Sequence, residues 1–206
     1  MKELVFATNN LHKLKEIRSL LPDGYHVAGL RDVGITAEIP EDHLTLEENA
    51  FQKAEYVYNQ LGLSCFADDT GLEIDALKGE PGVFSARYSR IGEPVYPEME
   101  VAAGNIRKVL EKMDGLENRR ARFRTVIALI LDGERHAFEG VVEGNIISEV
   151  RGREGFGYDP IFIPEDRELT FAEMDLEQKN RVSHRARAFG RLTDFLARPG
   201  TTGNGV

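Results

Sequence analysis

"KELVFATNNLHKLKEIRSLL", residues 2–21, changes from a strand pattern to a helix pattern with no linker between the two. Residues 2–8 are mostly apolar and predict a strand. Beyond them, apolar side chains recur at helical spacing, and Asn9 or Asn10 is a suitable N-cap. The sequence Pro22-Asp23-Gly24 should end this helix. The apolar side of the predicted helix comprises Leu11, Leu14, Ile17, Leu20 and Leu21.

Strand and helix patterns continue along the rest of the chain. Thr45-Leu46-Glu47-Glu48 has the form of a capping box, and Gly62 marks the end of the helix that the box opens. These patterns predict an α/β fold with a mixed sheet, in one domain over residues 1–197 followed by a flexible tail over 198–206. Further strands are predicted at 25–30, 63–67, 121–131, 134–142 and 144–150, and further helices over 98–113 and after Ser183. The last three strands form an antiparallel meander separated by Asp132-Gly133 and Glu143-Gly144, and Pro81-Gly82 should start a brief helical turn.

Composition and charge narrow the functional classes. The chain has 206 residues, a net charge of −9 and a single cysteine, Cys65. An acidic balance argues against a general nucleic-acid binder, and a single cysteine suits a reducing cytoplasm. No apolar run reaches the length of a membrane span, and residues 1–10 lack the apolar core of a signal peptide. We therefore expect a cytoplasmic protein with neither a membrane nor a nucleic acid as its partner.

One segment departs from the acidic balance. Residues 179–191, KNRVSHRARAFGR, contain no acidic side chain. This basic island is compatible with a solvated helix face, and it is also the feature on which a non-enzymatic nucleotide- or RNA-binding module would depend. Weak salt dependence of binding and a metal-dependent reaction would decide for an enzyme.

Two predicted helices begin with cations, although the N-terminus of a helix carries a partial positive charge. Lys13 lies in the first turn of the first helix, and His184 and Arg185 lie in the first turn of the last one. Long side chains can swing into water, which is the structural interpretation. The functional interpretation is a bound anion, since free amides and a lysine at a helix start form a phosphate site. The segment ATNNLHK lacks the glycines of a Walker loop.

Adjacent carboxylates follow the predicted strand LSCFA. Asp68 and Asp69 precede Thr70-Gly71, so an ordinary turn explains them structurally. The alternative is a ligand site at the end of a strand, with only one of the two carboxylates facing the ligand. Mg²⁺ prefers oxygen ligands and would require a second acid nearby, for which Glu41 is the candidate. Lys53, two turns into the capped helix, could then reach a phosphate.

A glycine-rich aromatic loop is the third unusual stretch. In GREGFGYDPIF, residues 152–162, glycines flank Phe156, and Tyr158-Asp159 follow. Inward-packed aromatic side chains are the structural interpretation. The functional interpretation is a stacking platform for a base, where each stacked base contributes roughly 1–3 kcal/mol.

Several of these stretches occur together, in order, in one known family. The quoted motifs are ATNNLHKLKEI, LTLEENAFQKA, FADDTGLEIDALKGEPGVFSARYS, GFGYDPIF and EQKNRVSHRARA. The chain therefore resembles the inosine triphosphate pyrophosphatase family over nearly its whole length. The resemblance implies hydrolysis of ITP, dITP or XTP to the monophosphate and pyrophosphate, with Mg²⁺ as cofactor. It also implies a homodimer and an elongated mixed β-sheet flanked by helices, in two lobes with a central active-site cleft.

The same resemblance implies roles for individual residues. Thr8, Asn9, Asn10 and Lys13 match the phosphate-binding segment, although many members have glycine at Asn9, and Lys53 matches a further phosphate contact. Glu41 and Asp69 match the metal-associated acids, with Asp69 also accepting a proton from water, and Thr70 lies near the substrate. Phe156, Gly157, Tyr158 and Asp159 match the loop that binds the base. Lys179, His184 and Arg185 match the groups that recognise it.

A second enzymatic alternative is a haloacid-dehalogenase-like phosphatase. Such an enzyme would need an Asp-x-Asp nucleophile directly after the first strand, and residues 6–8, FAT, contain none. The released product also distinguishes the two enzymes, because a phosphatase would release orthophosphate.

Overall fold

The structure is a computed structural model that describes residues 2–18, 21 and 23–198. None of the helices in these ranges combines the length and the apolar character that crossing a bilayer requires. The strands are β1 (Lys2–Phe6), β2 (Tyr25–Gly29), β3 (Cys65–Ile74), β4 (Pro81–Gly82), β5 (Arg120–Leu131), β6 (Glu134–Ile146) and β7 (Phe162–Pro164). The helices are α1 (Leu11–Arg18), α2 (Leu46–Leu61), α3 (Val101–Lys112), α4 (Leu176–Val182) and α5 (His184–Leu196), with short 3-10 segments at Asp75–Leu77, Ser85–Arg90 and Asp159–Ile161.

The strands form one mixed sheet in the order β2-β1-β3-β5-β6-β7, with β4 paired to β3. Strand β1 is parallel to both β2 and β3, whereas β3–β4 and β6–β7 are antiparallel. The predicted α/β fold class with a mixed sheet and flanking helices is therefore confirmed.

The chain divides into two compact units, each built from separated segments. The first unit contains residues 1–69, 125–140 and 187–206, and the second contains 70–124 and 141–186. A single two-lobed domain over 1–197 stays a prediction. Residues 199–206 of the predicted tail lie outside the described residues, as do Leu20 and Pro22 of the first predicted helix.

The core of the first unit follows from the two-residue period of β1. Leu4 and Phe6 pack in one cluster with Ile17 of α1 and Phe189 of α5, whereas Val5 joins a second cluster with residues of α2. Successive strand side chains point to opposite faces, so helices cover this strand on both sides. Buried parallel strands of this kind read as continuous apolar runs, which is the pattern of residues 4–7.

The core of the second unit is built around three phenylalanine rings. The Phe123 and Phe162 ring centroids lie 4.7 Å apart, and the Phe162 and Phe171 centroids 5.3 Å apart. Val109 and Met113, from α3 and the residue that caps it, are fully buried in the same cluster. Aromatic pairs at these distances add to the free energy of burial.

Helix ends largely follow the sequence signals. Thr45 Oγ1 accepts a hydrogen bond from Glu48 N at 3.2 Å and donates one to the Glu48 carboxylate at 2.7 Å, and Gly62 ends α2 in the left-handed conformation. Ser183 Oγ accepts from Ala186 N at 3.2 Å, which confirms the predicted cap of α5. A complete capping box lies at Asp175 of α4, where the sequence analysis predicted none.

The predicted meander was wrong in its third strand. Strand β6 continues through the predicted turn at Glu143-Gly144, and β7 supplies the next antiparallel partner. A Cβ atom on Gly144 would lie 2.3 Å from Ile163 O. The glycine therefore permits close approach of β7 and does not mark a turn.

Two other predicted boundaries also differ from the structure. Strand β3 extends to Ile74, so the two aspartates lie inside a strand and not at its end. Pro81-Gly82, predicted to start a helical turn, forms β4 against β3, and the 3-10 segment begins at Ser85. Both differences involve the pairing of β4 with Leu72 and Glu73 of β3.

Candidate active site

Asp68 and Asp69 lie where β3 extends past the end of its neighbour β1. Phe6, the last residue of β1, pairs with Phe66, so Asp68 and Asp69 continue beyond the carboxyl end of β1. The chain leaves β1 for β2 on one side, and β3 pairs with β1 on the other side. In open α/β sheets ligands bind at such a switch point, outside the carboxyl ends of the strands.

The start of α1 follows directly from β1. Asn10 Oδ1 accepts a hydrogen bond from Lys13 N at 3.3 Å, so Asn10 is the N-cap, and Thr8 Oγ1 accepts one from Asn10 N at 3.2 Å. Asn9 is exposed. The Lys13 ammonium reaches both oxygens of Asp68, at 2.8 and 2.7 Å. Asp68 therefore holds a cation at the helix start.

The neighbouring carboxylate points to a different lysine. Lys53 Nζ on α2 lies 2.5 Å from Glu41 Oε1 and 3.3 Å from Asp69 Oδ1. Asp69 and Lys53 are both buried, and the Glu41 side chain is partly exposed. The structure thus brings together the two acids and the lysine that the sequence analysis selected from separate segments.

The protonation states of Asp69 and Lys53 depend on their burial and on the charges beside them. Burial raises the pKa of Asp69 to about 6; Lys53 opposes this shift, whereas Glu41 and Asp68 reinforce it. Burial acts to lower the pKa of Lys53, but the carboxylates of Asp69, Glu41 and Asp68 outweigh it and raise that pKa. Lys53 is consequently charged at neutral pH, and Asp69 is ionised there with a basicity above that of an ordinary carboxylate.

The donor atoms of this group suit a divalent cation. Within the part of the chain that the structure describes, no three His, Cys, Asp or Glu side chains form a ready-made metal cluster. Asp69 Oδ2 is buried and has no hydrogen-bond partner among the described residues, while the other oxygen shares the Lys53 ammonium with Glu41. Two carboxylates converging on one positive charge fit Mg²⁺, which keeps several waters and needs only one or two protein carboxylates.

The second unit contains the predicted base-binding loop. Asp159 is buried and accepts hydrogen bonds from Phe156 N at 2.8 Å and Lys179 Nζ at 2.5 Å. Gly157 has a φ of 62°, a left-handed conformation that favours glycine. Phe156 is 47% exposed, so its side chain is accessible to another flat group.

The aromatic residue after that glycine has a structural contact. Tyr158 is buried, and its hydroxyl donates a hydrogen bond to Ser85 O at 2.9 Å. Burial raises the pKa of Tyr158 far above its ordinary value, so the phenol stays protonated. This residue anchors the loop from inside and does not present its ring to solvent.

The predicted basic island is turned inward at its recognition residues. His184 and Arg185 are buried, and the His184 ring stacks on Phe123 with centroids 4.6 Å apart. The Arg185 guanidinium carbon and Lys179 Nζ each lie 5.2 Å from the Phe156 ring centroid. Lys179 and Arg185 therefore lie against the Phe156 ring and His184 against Phe123, so these three side chains are not part of an exposed basic face.

The predicted site residues therefore form two groups, one in each unit. Thr70 follows Asp69 along β3 and is the first residue of the second unit. The first group comprises Thr8, Asn9, Asn10, Lys13, Glu41, Lys53 and Asp69, and the second comprises Thr70, Phe156, Gly157, Tyr158, Asp159, Lys179, His184 and Arg185.

Sequence reasoning missed the contacts that hold these groups. It did not pair Asp68 with Lys13, and it did not select Ser85 or the buried Asn49. Asn49 carried a signal, because it lies three residues after Leu46 on the apolar side of α2. Ser85 accepts the hydrogen bond of Tyr158 through its backbone oxygen, a contact that no side-chain pattern reveals.

Comparison with known proteins gives consistent results in sequence and structure. The model of the Ham1 family matches residues 4–195. The dITP/XTP pyrophosphatase of Porphyromonas gingivalis is 54% identical over 197 residues, covering 95% of this chain and 98% of the relative, and that of Bacillus subtilis is 46% identical over 200 residues, covering 95% and 98%.

Solved structures also match this chain over nearly its whole length. The Ham1 protein of Staphylococcus aureus superposes with a TM-score of 0.84 at 40% identity, covering 95% of this chain and 98% of that one. A structure from Mycobacterium abscessus, titled a nucleoside-triphosphatase and dITP/XTP pyrophosphatase, gives 0.75 at 38% identity, covering 92% and 98%. The range that the family model matches contains the positions of both groups of site residues.

Proposed function

This chain belongs to the Ham1 family, and from that premise we propose that it is a Mg²⁺-dependent nucleoside-triphosphate pyrophosphatase. Its substrates are the non-standard purine nucleotides ITP, dITP and XTP, which it converts to the monophosphate and pyrophosphate. Relatives named dITP/XTP pyrophosphatase support this assignment. The observation that carries it is the convergence of Glu41 and Asp69 on Lys53 at the switch point of the sheet.

The first unit performs the phosphate chemistry in this proposal. Lys13 and Lys53 supply positive charge, and the amides at the start of α1 add donors for phosphate oxygens. Asp69 accepts a proton from the attacking water. The water oxygen bonds to the α-phosphorus, the bond from that phosphorus to the bridging oxygen breaks, and pyrophosphate leaves.

Glu41 and Asp69 are the residues that would hold Mg²⁺. When bound, the ion would neutralise charge on the phosphate chain, which a bare group of carboxylates would repel. Asp68 keeps the Lys13 ammonium in place by its two contacts.

The second unit recognises the base in this proposal. Hypoxanthine and xanthine carry a carbonyl at C6, whereas adenine carries an amino group. Arg185 can only donate hydrogen bonds, so it favours the carbonyl, and Phe156 offers an exposed ring for stacking. Lys179 and His184 complete the donor set. Asp159 fixes Lys179 and the loop backbone.

We also propose that the protein acts as a homodimer in the cytoplasm, where the nucleotide pool is located. Light scattering at several protein concentrations tests the dimer, and a mass of one chain at all of them would contradict it.

The function is tested with purified protein and a panel of ITP, dITP, XTP, GTP and ATP, with Mg²⁺ and with excess chelator. We expect monophosphate and pyrophosphate in equal amounts from the first three, and no product with chelator. Release of orthophosphate from the same substrates would instead indicate a phosphatase.

Asp69→Asn tests the role of the carboxylate. Removing a general base costs about 10²–10⁴-fold, so kcat should fall by that factor while the circular dichroism spectrum is unchanged. Retention of near-normal turnover would show that another group accepts the proton.

A further inference from the structure

Glu41 lies on a segment with no regular structure. It follows Pro40 in the stretch between β2 and α2, where no helix or strand begins before Leu46. An irregular segment has no ladder of backbone hydrogen bonds to fix its side chains. The Glu41 carboxylate nevertheless lies 2.5 Å from Lys53 Nζ, so other contacts must hold the segment.

A buried asparagine supplies the first of these contacts. Asn49 is fully buried in α2. Its Oδ1 accepts a hydrogen bond from His43 N at 2.9 Å, and its Nδ2 donates one to His43 O at 3.2 Å. The side-chain amide thus pairs with both polar groups of one peptide residue, as a neighbouring strand would.

A glutamine one turn later supplies a second pair of contacts. Gln52 Oε1 accepts from Asp42 N at 3.0 Å, and Gln52 Nε2 donates to Asp42 Oδ2 at 3.3 Å. Asn49, Gln52 and Lys53 are spaced three and four residues apart, so they share one side of α2. The helix therefore holds the segment at the two residues that follow Glu41, and Lys53 on the same side receives the carboxylate.

We propose that Asn49, assisted by Gln52, is a positioning residue that places the Glu41 carboxylate at Lys53 and Asp69. It acts through the backbone of residues 42–43 and touches no reacting atom. The inference rests on the proposed function only in the role that it gives to Glu41.

Burial alone would not select an asparagine here. Asparagine is a poor helix former, and a leucine of similar size would bury apolar surface in the same space. Both polar ends of the Asn49 amide are instead used by the segment beside Glu41. If Asn49 is merely structural, its substitution should lower stability only. If Asn49 positions Glu41, its substitution should also lower kcat/KM, and that loss should require Glu41.

A double-mutant cycle separates these roles. In the wild-type background, Asn49→Leu should lower kcat/KM for dITP about 10–100-fold, as for other residues that orient metal-site ligands. In a Glu41→Gln background the same change should alter kcat/KM by no more than about twofold, the usual scatter of additive effects. Thermal unfolding should shift equally in both backgrounds. An equal loss of kcat/KM in both would overturn the proposal.

Binding of Mn²⁺ without nucleotide gives a readout independent of turnover. Loss of the free Mn²⁺ resonance signal should show binding to the wild type and about 10–100-fold weaker binding to Asn49→Leu. Asn105→Leu is the matched control, since Asn105 is also buried and bonds Ser89 N at 2.7 Å and Ser85 O at 3.1 Å in the second unit. It should lose similar stability and keep its Mn²⁺ affinity.

The outcomes separate this inference from the proposed function. If dITP is hydrolysed but the losses of kcat/KM from Asn49→Leu and Glu41→Gln are additive, the positioning role is refuted and the proposed function is not. Absence of pyrophosphate release from dITP refutes the proposed function, and Mn²⁺ binding still tests the positioning role: unchanged affinity in Asn49→Leu overturns it. If Asn49→Leu fails to fold, Gln52→Met removes the second pair of contacts at a partly exposed position and should give the same pattern with a smaller amplitude.

Discussion

At the scale of single residues, the environment of Asp69 makes stability depend on pH. Its pKa is raised from 3.8 to about 6, chiefly by burial. A carboxyl whose pKa is higher in the folded state favours folding only while it is protonated there. As pH rises from about 4 to about 6, the unfolded chain loses this proton first, so the free energy of unfolding should fall by at most about 3 kcal/mol.

Denaturant unfolding of the wild type and of Asp69→Asn across this pH range measures the effect. The variant cannot titrate at this position, so the difference between the two proteins should grow up to about pH 6 and then stay constant. A constant difference across the whole range would show that Asp69 titrates alike in both states.

The base preference is a second property of individual side chains. Arg185→Ala removes the proposed donor to the C6 carbonyl, and an unmatched polar group costs roughly 1–3 kcal/mol. The ratio of kcat/KM for ITP to that for ATP should therefore fall about 10-fold or more. Arg181→Ala is the control, because Arg181 is exposed and pairs only with Glu177 among the contacts described. An unchanged ratio in Arg185→Ala would remove that residue from base reading.

Sequence reasoning at this scale found residue types more readily than their partners. The sequence predicts that Lys13 lies at a helix start, because the apolar spacing and the N-cap of α1 fix its first turn. That its ammonium would bind Asp68, 55 positions away, is not visible, since the pairing depends on β3 lying beside β1. Glu41 was grouped with the aspartates because Mg²⁺ would require a second acid nearby, and the resemblance to a family implied the same pair; the sequence does not show the Lys53 ammonium that lies between them.

At the scale of secondary-structure elements, two glycines should respond to alanine in opposite ways. A Cβ on Gly144 of β6 would lie 2.3 Å from the backbone oxygen of Ile163 and 2.6 Å from the Phe162 ring. Overpacking of this kind costs about 1–3 kcal/mol, so Gly144→Ala should lower the unfolding temperature. Gly190 in α5 has nothing within 4 Å of the same position, and Gly190→Ala should raise stability by up to about 1 kcal/mol.

Thermal unfolding of the two variants, measured side by side, tests this contrast. Each substitution adds one methyl group, so the opposite signs isolate the effect of the neighbouring strand. A stabilised Gly144→Ala would mean that β7 does not pack against β6 at this register.

Elements with a local cause were predicted, and elements with a distant cause were not. Helix α2 has its cap, its apolar side and its terminal glycine within one stretch of sequence, and its bounds follow from them. The turn expected at Glu143-Gly144 failed because glycine is used there for close approach to β7, some 20 residues later. The extension of β3 past its aspartates likewise depends on β4.

At the scale of the whole molecule, the proposed functions are divided between the two units. Residues assigned to phosphate chemistry belong to the first unit, and those assigned to the base belong to the second. The motif order along the sequence does not show this division, because each unit is assembled from separated segments. Changes in the first unit should therefore affect all nucleotides alike, and changes in the second should alter the choice among them.

Two lysines with largely buried side chains allow a matched test of this division. Lys53 bonds Asp69 and Glu41 in the first unit, Lys179 bonds Asp159 in the second, and their side chains are 10% and 13% exposed. Replacing either lysine by methionine removes an ammonium group and leaves its buried carboxylate partner without a positive charge. Similar losses of stability are therefore expected from the two substitutions. Lys53→Met should lower kcat/KM for ITP and ATP by the same factor and weaken inhibition by pyrophosphate. Lys179→Met should keep that inhibition and change the ratio of ITP to ATP. Steady-state kinetics with both nucleotides, at temperatures where both variants are folded, decide the matter: if both lysines shift the ratio equally, recognition of base and phosphate is not divided along the two units.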